Sequence, residues 1–235
     1  MEKKKNNDFK NMLIGFGVIL LYLIASLSSY DFINAIGINY NNLSYLGKSI
    51  CIICYELILT LIIIYIYRKD FIPNFKDFIK NIGKYLKKYI KYWFIILALM
   101  IFSNIIVTMF TTTNVSNNQQ TIIDSLKQFP IYTFVVTVLI APVLEELVFR
   151  LSFRKIFPHT DILFIIFSGL IFGSMHVLGN CNSLVDLLFI IPYSIPGFIF
   201  AYTLKKSDNI FVPISLHFIH NGVMMLLQLL ILILI

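Results

Sequence analysis

Charge is what this chain has least of. Only 13% of its 235 residues are Asp, Glu, Lys or Arg, while 58% are hydrophobic; an ordinary soluble domain carries about 25% charged residues. There is too little polar side chain to coat a large soluble core, and the mean hydropathy of +0.83 points to a membrane protein. Cysteine is also scarce. Cys51, Cys54 and Cys181 make no disulfide framework; Cys51 and Cys54 share one helix face in an apolar run and read as buried packing. No H-E-x-x-H zinc signature occurs, nor any internal repeat, low-complexity tract or soluble domain. The net charge of +7 is spread between apolar runs rather than gathered in one basic domain. That argues for anionic lipid as the partner and against nucleic acid.

What the chain has in abundance is long apolar runs. Near 12–29, 49–67, 92–112, 130–150, 161–179, 184–204 and 209–235 they reach the roughly 20 residues that a helix needs to cross a ~30 Å hydrocarbon core. The first follows "MEKKKNNDFK" and, with six more behind it, reads as an uncleaved first span rather than a signal peptide. The fold class expected is an all-α polytopic membrane protein of seven transmembrane helices. Lys and Arg set the orientation. Seventeen of the nineteen lie in the amino-terminal segment, 68–91, 150–155 and 205–206, and only Lys48 and Lys127 lie in the alternate loops. This asymmetry predicts a cytoplasmic amino terminus and an external carboxyl terminus in the cell membrane of a bacterium.

The connector "DFIPNFKDFIKNIGKYLKKYIKYW" repeats apolar residues every three or four positions. Phe71, Phe75, Phe78, Ile82, Leu86 and Tyr89 form one stripe, and Lys76, Lys80, Lys84, Lys87 and Lys88 lie largely off it. Such a helix lies on an anionic leaflet. The chain therefore divides into an N-terminal three-helix region, 1–129, with the basic interfacial helix at 68–91, and a C-terminal set of helices, 130–235.

Several polar residues fall inside the spans, where a charge costs a few kcal/mol and marks function by default. "APVLEELVFRLSFRKIF" holds Glu145, Glu146 and Arg150, the last two spaced to pair across one helical turn. "FSGLIFGSMH" places Gly169, Gly173 and His176 on one stripe, where small residues admit a neighbouring helix. "NIFVPISLHFIHN" sets His217 and Asn221 four apart, with Pro213 in the first turn, where it is tolerated. At about 1.5 Å rise per residue, Glu145, His176, His217 and Asn221 stand roughly 15 to 24 Å above their cytoplasmic turns, which is one layer. Glu56, Asp186 and His220 are assigned no role.

The motifs E-E-x-x-x-R (Glu145, Glu146, Arg150), F-x-x-x-H (Phe172, His176) and H-x-x-x-N (His217, Asn221), in order on separate spans, resemble those of the CPBP family. This is the CAAX-protease and bacteriocin-processing group, also called Abi, which includes the type II CAAX prenyl endopeptidases. The likeness covers roughly 130–225. It implies an intramembrane endopeptidase in which Glu145 and His176 activate the attacking water and His217 with Asn221 stabilises the oxyanion. Glu146, Arg150 and Phe172 would support them. The residues fit that chemistry on their own account, a base for water and donors for developing negative charge.

Two other classes share these residues. A bacteriocin-immunity or membrane-shield protein can keep such a site idle, and a proton-coupled transporter can use buried carboxylates and histidines. Zinc wants three protein ligands and a water, which Glu145, His176 and His217 would supply, but a metal-independent mechanism is favoured. The expected substrate is a membrane-associated protein or peptide.

Overall fold

The seven apolar runs fold as seven helices long and apolar enough to cross a membrane. The structure, a computed structural model, describes residues 2–111 and 115–234, and among these no strand occurs. In chain order the helices are α1 (Glu2–Leu27), the short α2 (Ser29–Ala35), α3 (Tyr45–Ile66), α4 (Arg68–Thr108) and α5 (Asn117–Gln128). They are followed by α6 (Pro130–Ile156), α7 (Asp161–Leu178), α8 (Ile190–Ser207) and α9 (Phe211–Leu234). The chain is an all-helical, multi-pass membrane protein. Its outward faces are apolar because lipid, not water, covers them: Leu27, Ile131 and Leu184 are among the exposed large hydrophobics.

Helix α6 is the inner element. Its window is the most buried of the seven spans, and Leu144, Leu147, Val148, Phe149 and Leu151 form the centre of the main apolar cluster with Ile63 of α3, Phe164 of α7 and Ile214 of α9. Its backbone is not regular. Val135–Ile140 and Leu147–Leu151 are π-helical, so the Ala141 N–H reaches back five residues to the Val136 carbonyl. The next nitrogen belongs to Pro142, which has no proton to give. The wide turn moves the chain away from the proline ring and leaves the Thr137 carbonyl in want of a donor. In the second wide turn the Ser152 N–H bonds the Leu147 carbonyl, and the Ser152 hydroxyl meets that of Tyr67 at 2.7 Å.

Helices α7 and α8 cross closely because glycines face each other. A Cβ on Gly197 would stand 2.7 Å from the Gly169 Cα, and one on Gly173 would be 2.7 Å from the Ser194 nitrogen. Backbone cannot yield there as a side chain would, so the small-residue stripe read from the sequence is a helix contact.

Two expectations need correction. The basic helix ahead of the third span ends earlier than residue 91: helical geometry breaks at Asn81 (φ −118°, ψ 17°), where two helices meet within α4, and the second of them runs on as the span. The break splits the apolar stripe: Phe78 and Tyr89 are buried, while Phe75 and Ile82 face outward. Polar contacts hold the bend in place. Asn209, just ahead of α9, donates to the Asn74 carbonyl and to Asp77, each at 2.9 Å, and Asp77 also accepts from Asn81 and Tyr85. The second correction concerns the cysteines. Cys54 is exposed and Cys51 only half-buried, because α3 turns that face away from α6.

Several ion pairs gather the basic loops at one end of the bundle. Asp161 bonds Arg154 at 2.6 Å and Lys205 at 2.9 Å, Lys155 bonds Asp70 at 2.8 Å, and His159 meets Asp8 at 3.0 Å. The amino-terminal helix, the α3–α4 junction, the α6–α7 turn and the end of α8 therefore share one side, as the distribution of Lys and Arg requires. With that side cytoplasmic, a Lys84→Cys variant in a cysteine-free background is shielded from an impermeant thiol reagent applied to intact cells. A Val115→Cys variant is labelled. Equal labelling of both contradicts the orientation.

Candidate active site: two glutamates and two histidines between three helices

The sequence-predicted residues come from α6, α7 and α9, and the structure brings them together at the bundle centre. The two π-helical stretches flank Ala141–Glu146. Wide turns of this kind recur at functional sites because they rotate one stretch of side chains relative to the rest of the helix. Here they leave Glu146 and Glu145 serving different neighbours.

Glu146 is fully buried and tied on both sides. Its Oε1 accepts from Nδ1 of His217 at 2.9 Å, and its Oε2 lies 3.0 Å from Nε of Arg150. That second contact is an ion pair without hydrogen-bond alignment, and the Arg150 terminal nitrogens have no acceptor among the described residues. Aromatic faces take their place: the guanidinium stands 4.2 Å from the Phe172 ring centre and 5.5 Å from that of Phe200. A desolvated cation over a ring face gains about 2 kcal/mol. The pair as a whole need not stabilise the fold, since charges cost heavily on burial. It does fix His217, whose ring also stacks on Phe200 with centres 5.0 Å apart.

Glu145 points the other way and is partly open, with 16% of its side chain accessible. Its Oε2 is 3.8 Å from Nε2 of His217 and 4.0 Å from Nε2 of His176. His176 is held through Nδ1, which lies 2.9 Å from the Phe172 carbonyl oxygen. A carbonyl only accepts, so this nitrogen carries the proton. The same logic applies to His217 opposite the Glu146 carboxylate. In their neutral forms both histidines therefore present an unprotonated Nε2 towards Glu145.

Asn221 lies one turn beyond His217, and its Nδ2 donates to the Thr137 carbonyl at 2.8 Å. It thus fills the place that Pro142 leaves empty in the α6 ladder, and its second amide proton has no partner among the described residues. No direct bond to Glu145 or His176 accompanies this. Phe172 is buried at the centre, against His176, His217 and Arg150.

Sequence reasoning did not find Phe200, Thr137 or Tyr193, whose ring stacks on His176. None carries a motif. The one available signal was Pro142, which announces a freed carbonyl one helical turn earlier; that it is the Thr137 carbonyl depends on the wide turn. His220 is buried with its Nδ1 unpartnered, and Asp186 is not an isolated membrane charge: it caps Asn182 and Ser183 and accepts from Asn117 at the bundle end.

The metal expectation can be weighed on this geometry. Tetrahedral zinc with ligands at about 2.0–2.1 Å brings its donor atoms to roughly 3.3–3.4 Å of one another, closer than the 3.8 and 4.0 Å found here. Among the described residues no three His, Cys, Asp or Glu converge as a ligand set. As placed, the donors do not fit zinc, and no step below is routed through a metal.

Removing one partner of a buried pair strands the other, at about 3–5 kcal/mol. Glu146→Gln and Arg150→Ala are accordingly expected to lower the thermal unfolding midpoint of the detergent-solubilised protein markedly. Glu145→Gln, which breaks no bond shorter than 3.8 Å, leaves it near the parent. Equal losses in all three would contradict the division between a tied glutamate and an open one.

The comparisons with known proteins fall on these same helices. Residues 127–223 match the family model described as "Type II CAAX prenyl endopeptidase Rce1-like". The chain is 31% identical over 116 residues to "Putative membrane peptidase YdiL" of Bacillus subtilis (strain 168), covering 48% of this chain and 44% of that one. It is also 31% identical over 158 residues to "Membrane-embedded CAAX protease MroQ" of Staphylococcus aureus (strain USA300), covering 61% of this chain and 60% of that one. The chain thus spans between about two-fifths and three-fifths of the length of these curated relatives. No solved structure matches it significantly. The resemblance carried by the three motifs is therefore shown: from residue 127 to residue 223, which includes Glu145, Glu146, Arg150, Phe172, His176, His217 and Asn221, this chain is similar to the Rce1-like type II CAAX prenyl endopeptidases.

Proposed function

We propose that this protein is an intramembrane endopeptidase that hydrolyses a peptide bond of a membrane-associated protein or peptide without a metal. The observation that carries the reading is the pair of acceptors, Glu145 Oε2 and His176 Nε2, set 4.0 Å apart above a charge network that is otherwise closed. A water molecule donating one hydrogen to each is held with its lone pair free. Glu145 takes the proton as the oxygen attacks the peptide carbonyl, and the same proton goes to the departing amine as the C–N bond breaks. The products are a new carboxylate and a new amine.

The developing oxyanion needs donors. Asn221 has its second amide proton, without a partner among the described residues. His217 has a proton at Nε2 only as imidazolium, because its Nδ1–H is committed to Glu146. Two carboxylates face this ring, Glu146 at 2.9 Å and Glu145 at 3.8 Å. A dry site strengthens each of these interactions. The names of the two relatives, a membrane peptidase and a CAAX protease, support the same class of reaction for this chain. Its setting would be the bacterial cytoplasmic membrane, with the amino terminus inside.

The test uses parent protein reconstituted in lipid vesicles with a pool of transmembrane-segment peptides, each bearing a fluorophore and a quencher. Parent protein is expected to cleave members of the pool, and a chelator to leave the rate unchanged. Glu145→Gln, inserted at normal level, loses at least the 10²–10⁴-fold that a general base typically provides, and His176→Ala behaves alike. Full cleavage by Glu145→Gln would defeat the reading. The absence of cleavage by the parent would favour a membrane-shield role, and reversible loss on chelation with stoichiometric zinc would defeat the metal-free form.

A further inference from the structure

His176 has aromatic neighbours on both sides, and only one of them belongs to its own helix. Phe172 lies one turn below, ring centres 4.4 Å apart and tilted by 47°. On the other side stands Tyr193 of α8, with centres 5.2 Å apart and planes within 22° of parallel, the stacked geometry that rings prefer. Among the described residues the imidazole is hydrogen-bonded only at Nδ1. Rotation about its last torsion is therefore opposed by that bond and by these two rings, and that torsion decides whether Nε2 faces Glu145.

Tyr193 is itself held from outside the membrane-spanning bundle. Its hydroxyl lies 2.8 Å from the Ser116 hydroxyl and accepts from Nδ2 of Asn118 at 3.2 Å. Ser116 is the N-cap of α5 and accepts from the Gln119 N–H at 3.2 Å, which leaves its own hydroxyl proton able to serve the contact with Tyr193 as well as the reverse. Asn117 adds a bond of 2.8 Å to the Asn180 carbonyl just beyond α7 and one of 3.2 Å to Asp186. Helix α5 is thereby fastened by its first turn across the end of α7 and α8 nearest His176, while its Leu126 packs with Val138 and Met225.

We propose that Tyr193 is the positioning residue for His176: its ring holds the imidazole edge towards Glu145, and the Ser116–Asn118 turn of α5 holds the ring. The kinetic part rests on the peptidase reading; the structural part does not. Tyr193→Leu removes ring and hydroxyl, Tyr193→Phe removes only the hydroxyl, and Ser116→Ala with Asn118→Ala removes only the outer partners. Displacement of a reacting group by about 1 Å costs on the order of 10²-fold, so Tyr193→Leu is expected to lower kcat on the vesicle peptide pool by roughly 10- to 100-fold with KM little changed. Tyr193→Phe and the Ser116→Ala/Asn118→Ala pair should each fall slightly and equally. Combining them should add nothing, as expected for groups sharing one interaction.

An independent readout is the imidazole proton shift of His176 in selectively labelled protein, assigned by its loss in His176→Gln. Stacked rings move it upfield; Tyr193→Leu returns it towards the free value, and Tyr193→Phe keeps it. Three results overturn the proposal: a parent-like shift in Tyr193→Leu, a parent-like kcat in that variant, or Tyr193→Phe falling as far as Tyr193→Leu. If parent protein cleaves no peptide, the peptidase reading fails while the shift still decides where Tyr193 holds the ring.

Discussion

A carboxylate with no access to solvent has to be neutralised by its neighbours, and Glu146 meets that condition with Arg150 on one oxygen and His217 on the other. Most other features of the site follow from this arrangement. Arg150, buried with it, requires the faces of Phe172 and Phe200. His217, committed through Nδ1, has one nitrogen left to face the open side. Four helices, α6, α7, α8 and α9, thus meet around a single ion pair. The network is costly to bury, and the geometric definition it provides is what a hydrolytic site needs.

The second constraint is in the backbone. Pro142 interrupts the hydrogen-bond ladder of α6, and the chain answers with a wide turn before it and another after Glu146. Adjacent glutamates in a regular helix already point about 100° apart; set between wide turns, one reaches inward to His217 and Arg150 and the other faces the opening. Asn221 closes the gap by donating to the Thr137 carbonyl, so the proline, the wide turn and the asparagine are parts of one device. Close passage of α7 past α8 at Gly169 and Gly197 then brings His176 and Tyr193 into register.

Much of this was legible in the sequence. Hydropathy gave the seven spans because lipid imposes length and composition together. Charge asymmetry gave the shared side of the basic loops, which the Asp161, Asp70 and Asp8 ion pairs join. The i, i+4 spacing gave the Glu146–Arg150 pair, and the rise per residue placed Glu145, His176 and His217 in one layer. What was not legible depends on rotation and on contacts between distant segments. Periodicity continues through Asn81 and so could not reveal the bend, whose cause lies in Asn209, far along the chain. The lipid-facing cysteines of α3 and the aromatic neighbours Phe200 and Tyr193 depend on which way each helix is turned. No local pattern encodes that.

Glu146 commits the Nδ1 proton of His217 and leaves Nε2 to the open site. Nitrogen-15 spectroscopy of histidine-labelled protein in lipid tests this without reference to any substrate. The expected spectrum shows a proton on Nδ1 of His217 in the parent, hydrogen-bonded to a carboxylate, and a changed signal in Glu146→Gln. A His217 with bare Nδ1 and its only proton on Nε2, unaffected by Glu146→Gln, would contradict it.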